Sequence, residues 1–259
     1  MPTMRALLPL VIGLLVACVG DAGPEPLRVH AAASLRDLFE ELGELHESRT
    51  GRPVVLTTGG SNLIAQQVLA GARADVFASA SMVEPALLVD AGHMLADDAR
   101  PLFHNALVLV APGSSDLPLG TSLADLLERH PDLRLALAHT EAVPAGRYAK
   151  AWLEAGGLWS AVEPRAVATL DVRAALGAVA SGSVGLGLVY RTDAAASDEV
   201  RVLDEVPADE LAITYGGGVL ADTKLRADAE DFLALVTGAD PDGAAVLERH
   251  GFLVRSVAP

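Results

Sequence analysis

The chain has 259 residues, with 19 Lys and Arg against 34 Asp and Glu and a formal net charge of −15. That balance argues against nucleic-acid binding, which uses basic patches to displace counterions from phosphates. Half the chain is hydrophobic, enough for a sizeable core, while aromatics at 4 % leave little for a sugar- or base-stacking platform. An anion site here would have to work against the global field, through local dipoles rather than pooled positive charge.

The N-terminus reads as an export signal. Arg5 precedes an apolar run from Ala6 to Val16, a basic start followed by a short hydrophobic stretch. The run is too short to span a bilayer comfortably, which takes roughly 20 residues. It ends in Leu15-Val16-Ala17-Cys18, which resembles the lipobox of bacterial lipoproteins. That resemblance implies that Cys18 becomes the mature N-terminus and carries lipid, placing the protein in a periplasm or on an outer cell surface. Val19–Pro26 then reads as a tether, and residues 1–26 as signal and tether together. Cys18 is the only cysteine, so no intramolecular disulfide can form.

Strands and helices alternate along the rest. Leu27–Ala32 is a strand. Ser34 opens a helix in which Leu35, Leu38, Phe39 and Leu42 share one face, and Ser34 with Asp37 forms a start like a capping box. Val54–Thr57 is a strand, followed by Gly59-Gly60-Ser61 and a helix over Asn62–Ala70. Asp75–Ser79 is a strand and Val83–Ala91 a helix. Ala106–Ala111 is an apolar strand, Ser122–Arg129 a helix capped by Ser122, and Leu133–Ala138 a strand. A loop ends at Pro144-Ala145-Gly146, and Tyr148–Glu154 is helical. Ala166–Thr169 is a strand, Asp171–Ala180 a helix and Gly185–Tyr190 a buried strand. Val200–Leu203 and Leu211–Leu220 are extended, and Thr223–Val236 and Asp242–His250 are the closing helices. The alternation predicts an α/β fold with mainly parallel sheets. No linker divides the chain, which fits two lobes joined by more than one crossover.

One local pattern recurs: a strand, a small or hydroxyl residue, then a helix. It occurs at Ala33-Ser34, Gly60-Ser61, Pro144-Ala145-Gly146 and Leu170-Asp171-Val172. Such turns lie at the carboxyl ends of strands, where ligands bind in α/β sheets. Each helix start leaves backbone N–H groups without partners, and with the macrodipole these favour an anion. The plainer reading is that Ser34 and Ser61 only cap their helices, that Asp171 is a local cap, and that Tyr190 is an ordinary core tyrosine.

Several ordered blocks resemble the molybdate-binding proteins of ABC importers. They are His30-Ala31-Ala32-Ala33-Ser34-Leu35, Gly71–Phe77, Asn105–Pro112, Val143–Lys150, Asp171–Leu176, Gly187–Ala194 and His250-Gly251-Phe252. Together they cover roughly residues 27–253. The resemblance implies a two-lobed periplasmic-binding-protein fold of type II, with a ligand cleft between lobes and two crossover hinge strands. The lobes would be residues 27–105, then 106–213, with 214–259 returning to the first. The crossovers would lie near 104–112 and 205–216.

The resemblance also implies roles. Ser34 would donate from its hydroxyl and backbone N–H, Ala145 and Val172 from backbone N–H, and Tyr190 from its hydroxyl. The family's remaining serine falls on Gly60, with Ser61 next to it; either Ser61 substitutes or one hydrogen bond is lost. The pair Ser81-Met82 departs from a position where an acidic residue is common. Hydrogen bonds to a charged partner contribute roughly 1.5–3 kcal/mol each, so five to seven such donors could hold a dianion. A site of donors alone rejects an anion that must itself donate a proton. Phosphate near neutral pH carries one; molybdate, tungstate and sulfate do not.

The expected function is capture of molybdate or tungstate for an ABC permease in the membrane, by a lipid-anchored monomer with no cofactor and no catalytic residues. A binder of sulfate or another tetrahedral oxyanion is the alternative within the class. A serine hydrolase would need Ser34 or Ser61 with His30, His104 or His139, and no G-x-S-x-G elbow is present. The chain shows no phosphate-binding G-x-x-x-x-G-K-[ST] loop and no His/Cys cluster with metal-ligand spacing.

Overall fold

The structure is a computed structural model that describes residues 23–207 and 210–252. Cys18 and the apolar run before it lie outside the described residues, as does the chain after Phe252. Among the described residues no helix is long and apolar enough to cross a membrane.

Ten strands run in chain order: β1 Leu27–Ala32, β2 Val54–Gly59, β3 Val76–Ser79, β4 Arg100–Asn105, β5 Leu107–Pro112, β6 Leu135–Ala138, β7 Ala166–Thr169, β8 Leu186–Tyr190, β9 Val200–Glu205 and β10 Ile213–Val219. The helices are α1 Arg36–Thr50, α2 Ser61–Leu69, α3 Val83–Asp90, α4 Leu123–Arg129, α5 Pro144–Ala155, α6 Trp159–Val162, α7 Val172–Ala180, α8 Arg191–Ala195, α9 Arg226–Val236 and α10 Pro241–Arg249.

The strands form two five-stranded sheets, ordered β2-β1-β3-β10-β4 and β7-β6-β8-β5-β9. The chain passes from the first sheet to the second through Ala106, between β4 and β5. It returns between the end of β9 and the start of β10. Each lobe thus contains strands from distant parts of the sequence, which is why no linker divides the chain. The architecture is the α/β, type II periplasmic-binding-protein fold.

The sheets are mixed, which corrects the expectation of mainly parallel pairing. β1 runs parallel to β2 and β3, and β6 runs parallel to β7 and β8. The crossover strands run the other way: β10 is antiparallel to β3 and β4, and β5 to β8 and β9. Alternating βα segments signal parallel pairing, but a strand arriving from the other lobe is free of that handedness rule.

β1 is buried along almost its whole length, as expected of a strand covered on both faces. Beside it, α1 buries Leu38, Phe39, Leu42 and His46, the apolar stripe of an amphipathic helix. The Phe39 ring meets Phe232 of α9 edge-on at 5.6 Å. In the second lobe, Gly146 sits where the start of α5 presses on β6. A Cβ there would lie 2.2 Å from the Ala138 carbonyl oxygen, so only glycine permits this approach.

Three elements escape the sequence pattern: β4, α6 and α8. β4 carries Arg100, Pro101 and His104 on an edge, and Pro is tolerated there because an edge strand leaves some donors unpaired. α9 starts at Arg226 rather than Thr223. Thr223 instead donates its hydroxyl to Asp75 at 2.6 Å and accepts from Leu225 N–H.

Candidate anion-binding site

The recurring turns converge. Ser34, Gly60, Ser61, Ala145, Val172 and Tyr190 all line one small cavity, together with neighbours in the same turns. Ser34, Gly60 and Ser61 come from the first lobe, and the other three from the second. The space is too small for a drug-sized molecule, for which pockets of roughly 300–1,000 Å³ are usual.

The helix starts around this cavity are left open by their local sequences. α5 begins with Pro144, which has no N–H to satisfy, and no side chain caps it. Ala145 follows at a position whose N–H has no intrahelical partner. α7 is capped by Asp171, which accepts from Ala174 N–H at 2.9 Å. That cap takes a donor two residues beyond Val172, so the Val172 N–H has no partner within its helix. α2 begins at Ser61 after Gly60, again without a side-chain cap.

The hydroxyls are arranged with equal economy. Ser61 does not cap α2; its oxygen accepts from Ala80 N–H at 3.1 Å, which leaves its own proton unspent. Ser34 does not form the expected capping box either. It lies inside a short 3₁₀ turn over Ala33–Leu35, and its Oγ is 3.0 Å from the Tyr215 hydroxyl. Asp37 turns away to accept from Arg173 at 2.7 Å.

Tyr190 is not an ordinary core tyrosine with a satisfied hydroxyl. It is 1 % exposed, and its Oη is buried with no hydrogen-bond partner. Such a group costs roughly 1–3 kcal/mol, and native proteins rarely leave one without reason. Burial pushes the Tyr190 phenol well above its ordinary value, and the nearby Tyr215, Tyr148, Asp193 and Glu84 add to the shift. It therefore stays a neutral donor.

Side chains missed by the sequence reading join the lobes around the cavity. Glu84, buried on α3, accepts from Ser79 at 2.8 Å and Ser81 at 2.5 Å, and from Arg147 of α5 at 2.7 Å. Ser81, given no role from sequence, is thus part of this contact, and Arg147 donates to it as well. Arg173 of α7 reaches both Asp37 of the first lobe and the fully buried Asp193 of its own. No strong sequence signal could have found these pairs, because the partners lie far apart in the chain.

Neither Ser34 nor Ser61 is hydrogen-bonded to a histidine. His104 Nδ1 lies by Thr214, and His139 Nδ1 accepts from Glu141 and Ala142 N–H. Among the described residues no group of three or more His, Cys, Asp or Glu is placed to hold a metal ion.

A two-lobed shell closing on a small cavity of helix starts defines an extracytoplasmic solute-binding protein. The sequence profile of the bacterial extracellular solute-binding protein family matches residues 27–253. The chain belongs to that family, and within it to the molybdate-binding proteins of ABC transporters. It is 36 % identical to a Bacillus subtilis protein named "Putative ABC transporter substrate-binding lipoprotein YvgL", over 87 % of this chain and 85 % of the other. It is 32 % identical to the molybdate-binding protein ModA of Escherichia coli, over 88 % and 89 % of the two chains. The periplasmic molybdate-binding protein of Azotobacter vinelandii shares its fold with a TM-score of 0.75 at 23 % identity, over 89 % of this chain and all of that one.

Proposed function

We propose that this protein captures molybdate, and tungstate with it, and delivers the anion to the permease of an ABC importer. Ser34, Ser61 and Tyr190 supply O–H donors; Ser34, Gly60, Ala145 and Val172 supply backbone N–H. No cation touches the anion and no cofactor takes part. The protein acts as a monomer tethered through lipid on Cys18.

The observation that carries this reading is the buried, unpartnered hydroxyl of Tyr190 in a cavity lined by helix starts from both lobes. A dianion supplies the missing acceptor to every one of these donors at once. It also favours closure, because its ligands come from both sides of the cleft. Relatives named for molybdate at over 30 % identity point to the same anion.

The test is calorimetric titration of residues 27–259 with molybdate, tungstate, sulfate and phosphate. Molybdate and tungstate are expected to bind far more tightly than the other two. Sulfate binding equal to molybdate would overturn the assigned anion, and no binding of any of the four would overturn the site. Labelling of the full chain with a radioactive fatty acid, lost in Cys18→Ser, tests the anchor.

A further inference from the structure

Behind Ser34 lies a chain of polar groups whose direction is fixed. Asn105, at the end of β4, accepts from the backbone N–H of Ala106 through Oδ1 at 2.9 Å. Only an amide oxygen can accept that proton, so the orientation of the side chain is settled. Its Nδ2 therefore faces the other way and donates to Thr192 Oγ1 at 2.9 Å and to Tyr215 Oη at 3.3 Å. Asn105 Nδ2 can only donate, so among the described contacts Ser34 Oγ, at 3.0 Å, is the one group placed to accept the Tyr215 proton, and a Ser34-to-Tyr215 bond would leave that buried proton without an acceptor. Ser34 then has one acceptor position occupied, and its proton has a single useful direction, into the cavity that Ser34 lines.

We infer that Tyr215 and Asn105 are positioning residues that hold the Ser34 hydroxyl as a donor toward the bound anion, and so enforce rejection of oxyanions that carry a proton. This rests on the oxyanion-binding reading above. Both residues are buried, Tyr215 completely. They sit on the strands at the two crossovers, β4 and β10, which places the relay in the frame of the molecule rather than in a moving loop. The relay acts in concert with Ser61, whose oxygen is likewise occupied by a backbone N–H.

A serine oxygen has two acceptor positions, and Tyr215 both holds one and fixes the hydroxyl rotor; without the Tyr215 hydroxyl that hold is gone, and Ser34 Oγ can turn to receive a proton from the cavity. An anion that must donate one, such as hydrogen phosphate, then finds a partner it lacks in the natural site. Sulfate has similar size and the same double charge but no proton, so it serves as the control.

The experiment is competition against bound molybdate by sulfate and by phosphate at about pH 8, in the natural chain and in Tyr215→Phe. The ring of Tyr215 remains packed against Phe103 and Phe252, so the fold is kept. Tyr215→Phe is expected to weaken molybdate and sulfate by a similar few-fold factor, while phosphate gains on both by about tenfold or more. Asn105→Asp, which still accepts from Ala106 but no longer donates to Tyr215, is expected to shift the ratio the same way. A purely structural role would weaken all three anions alike; that result, or no gain by phosphate in Tyr215→Phe, overturns the inference while leaving oxyanion binding in place. Failure of the natural chain to bind molybdate would instead overturn the reading on which it rests.

Discussion

Arg147 of the second lobe lies 2.7 Å from Glu84 of the first, and the carboxylate it meets is almost wholly buried. The pair forms only while the lobes are together, so its free energy belongs to the closed state. Glu84 keeps its Ser79 and Ser81 donors in either state, which softens the cost of opening. Arg147→Ala removes bonds to a charged partner that contribute roughly 1.5–3 kcal/mol. Molybdate affinity is expected to fall by about tenfold or more, mainly through faster release. Stopped-flow release rates measure this, and an unchanged rate would show that the contact does not bias closure.

Tyr190→Phe should move binding and stability in opposite directions. The anion loses a donor worth roughly 1.5–3 kcal/mol, while the empty protein loses a buried group with no partner. Molybdate affinity is expected to drop at least tenfold and the ligand-free melting temperature to rise. Titration and thermal unfolding of the same sample check both. A fall in both would mean that the Tyr190 hydroxyl is satisfied in the free protein.

The turns of this site were legible in the sequence because each is local. Ser34, Gly60-Ser61, Pro144-Ala145 and Asp171-Val172 follow strands and precede helices, and such turns gather at one end of their sheets. What local pattern could not give was the direction of each hydroxyl. Ser34 read as a capping box with Asp37, yet its oxygen is claimed by Tyr215, 181 positions away. Ser61 read as a cap, yet it holds Ala80. Antiparallel pairing of β10 and β5 was hidden for the same reason, since a crossover strand carries the periodicity of any buried strand. Arg147 and Arg173 drew no role from the sequence, because their partners Glu84, Asp37 and, for Arg173, Asp193 are distant in it.

Gly60 faces the second lobe across the cavity. Its backbone angles suit any residue, so the constraint is steric. A Cβ there would stand 2.9 Å from the Asn62 side-chain oxygen of its own lobe, and 3.1 Å from the Leu170 carbonyl oxygen and 3.6 Å from Val143 across the cleft. The Asn62 side chain can swing away, whereas the Leu170 carbonyl is backbone, so Gly60→Val props the lobes apart. The variant is expected to melt within a few degrees of the natural chain, to lose molybdate affinity by about a hundredfold, and to show a larger radius of gyration with molybdate present. Small-angle scattering reads the last of these, and a compact liganded variant would refute the steric account.

Asp193 contributes stability that falls as pH rises, opposite in sign to the contribution of the paired carboxylates Glu41 and Asp240. Burial raises its carboxyl to about 7, against the opposing pull of Arg173. In the unfolded chain the same group ionises near its ordinary value of 3.8. Between these values the native state holds a proton that the unfolded state has released, so stability from this group falls as pH rises. The slope approaches about 1.4 kcal/mol per pH unit at its steepest and vanishes above the native value. Asp193→Asn removes the titration while Arg173 keeps Asp37. Relative to the natural chain, the variant is expected to gain stability steadily from about pH 4.5 to pH 7. Urea unfolding at several pH values measures the difference. Parallel curves would mean that Arg173 keeps Asp193 ionised throughout, and that ion pairing outweighs desolvation at this buried position.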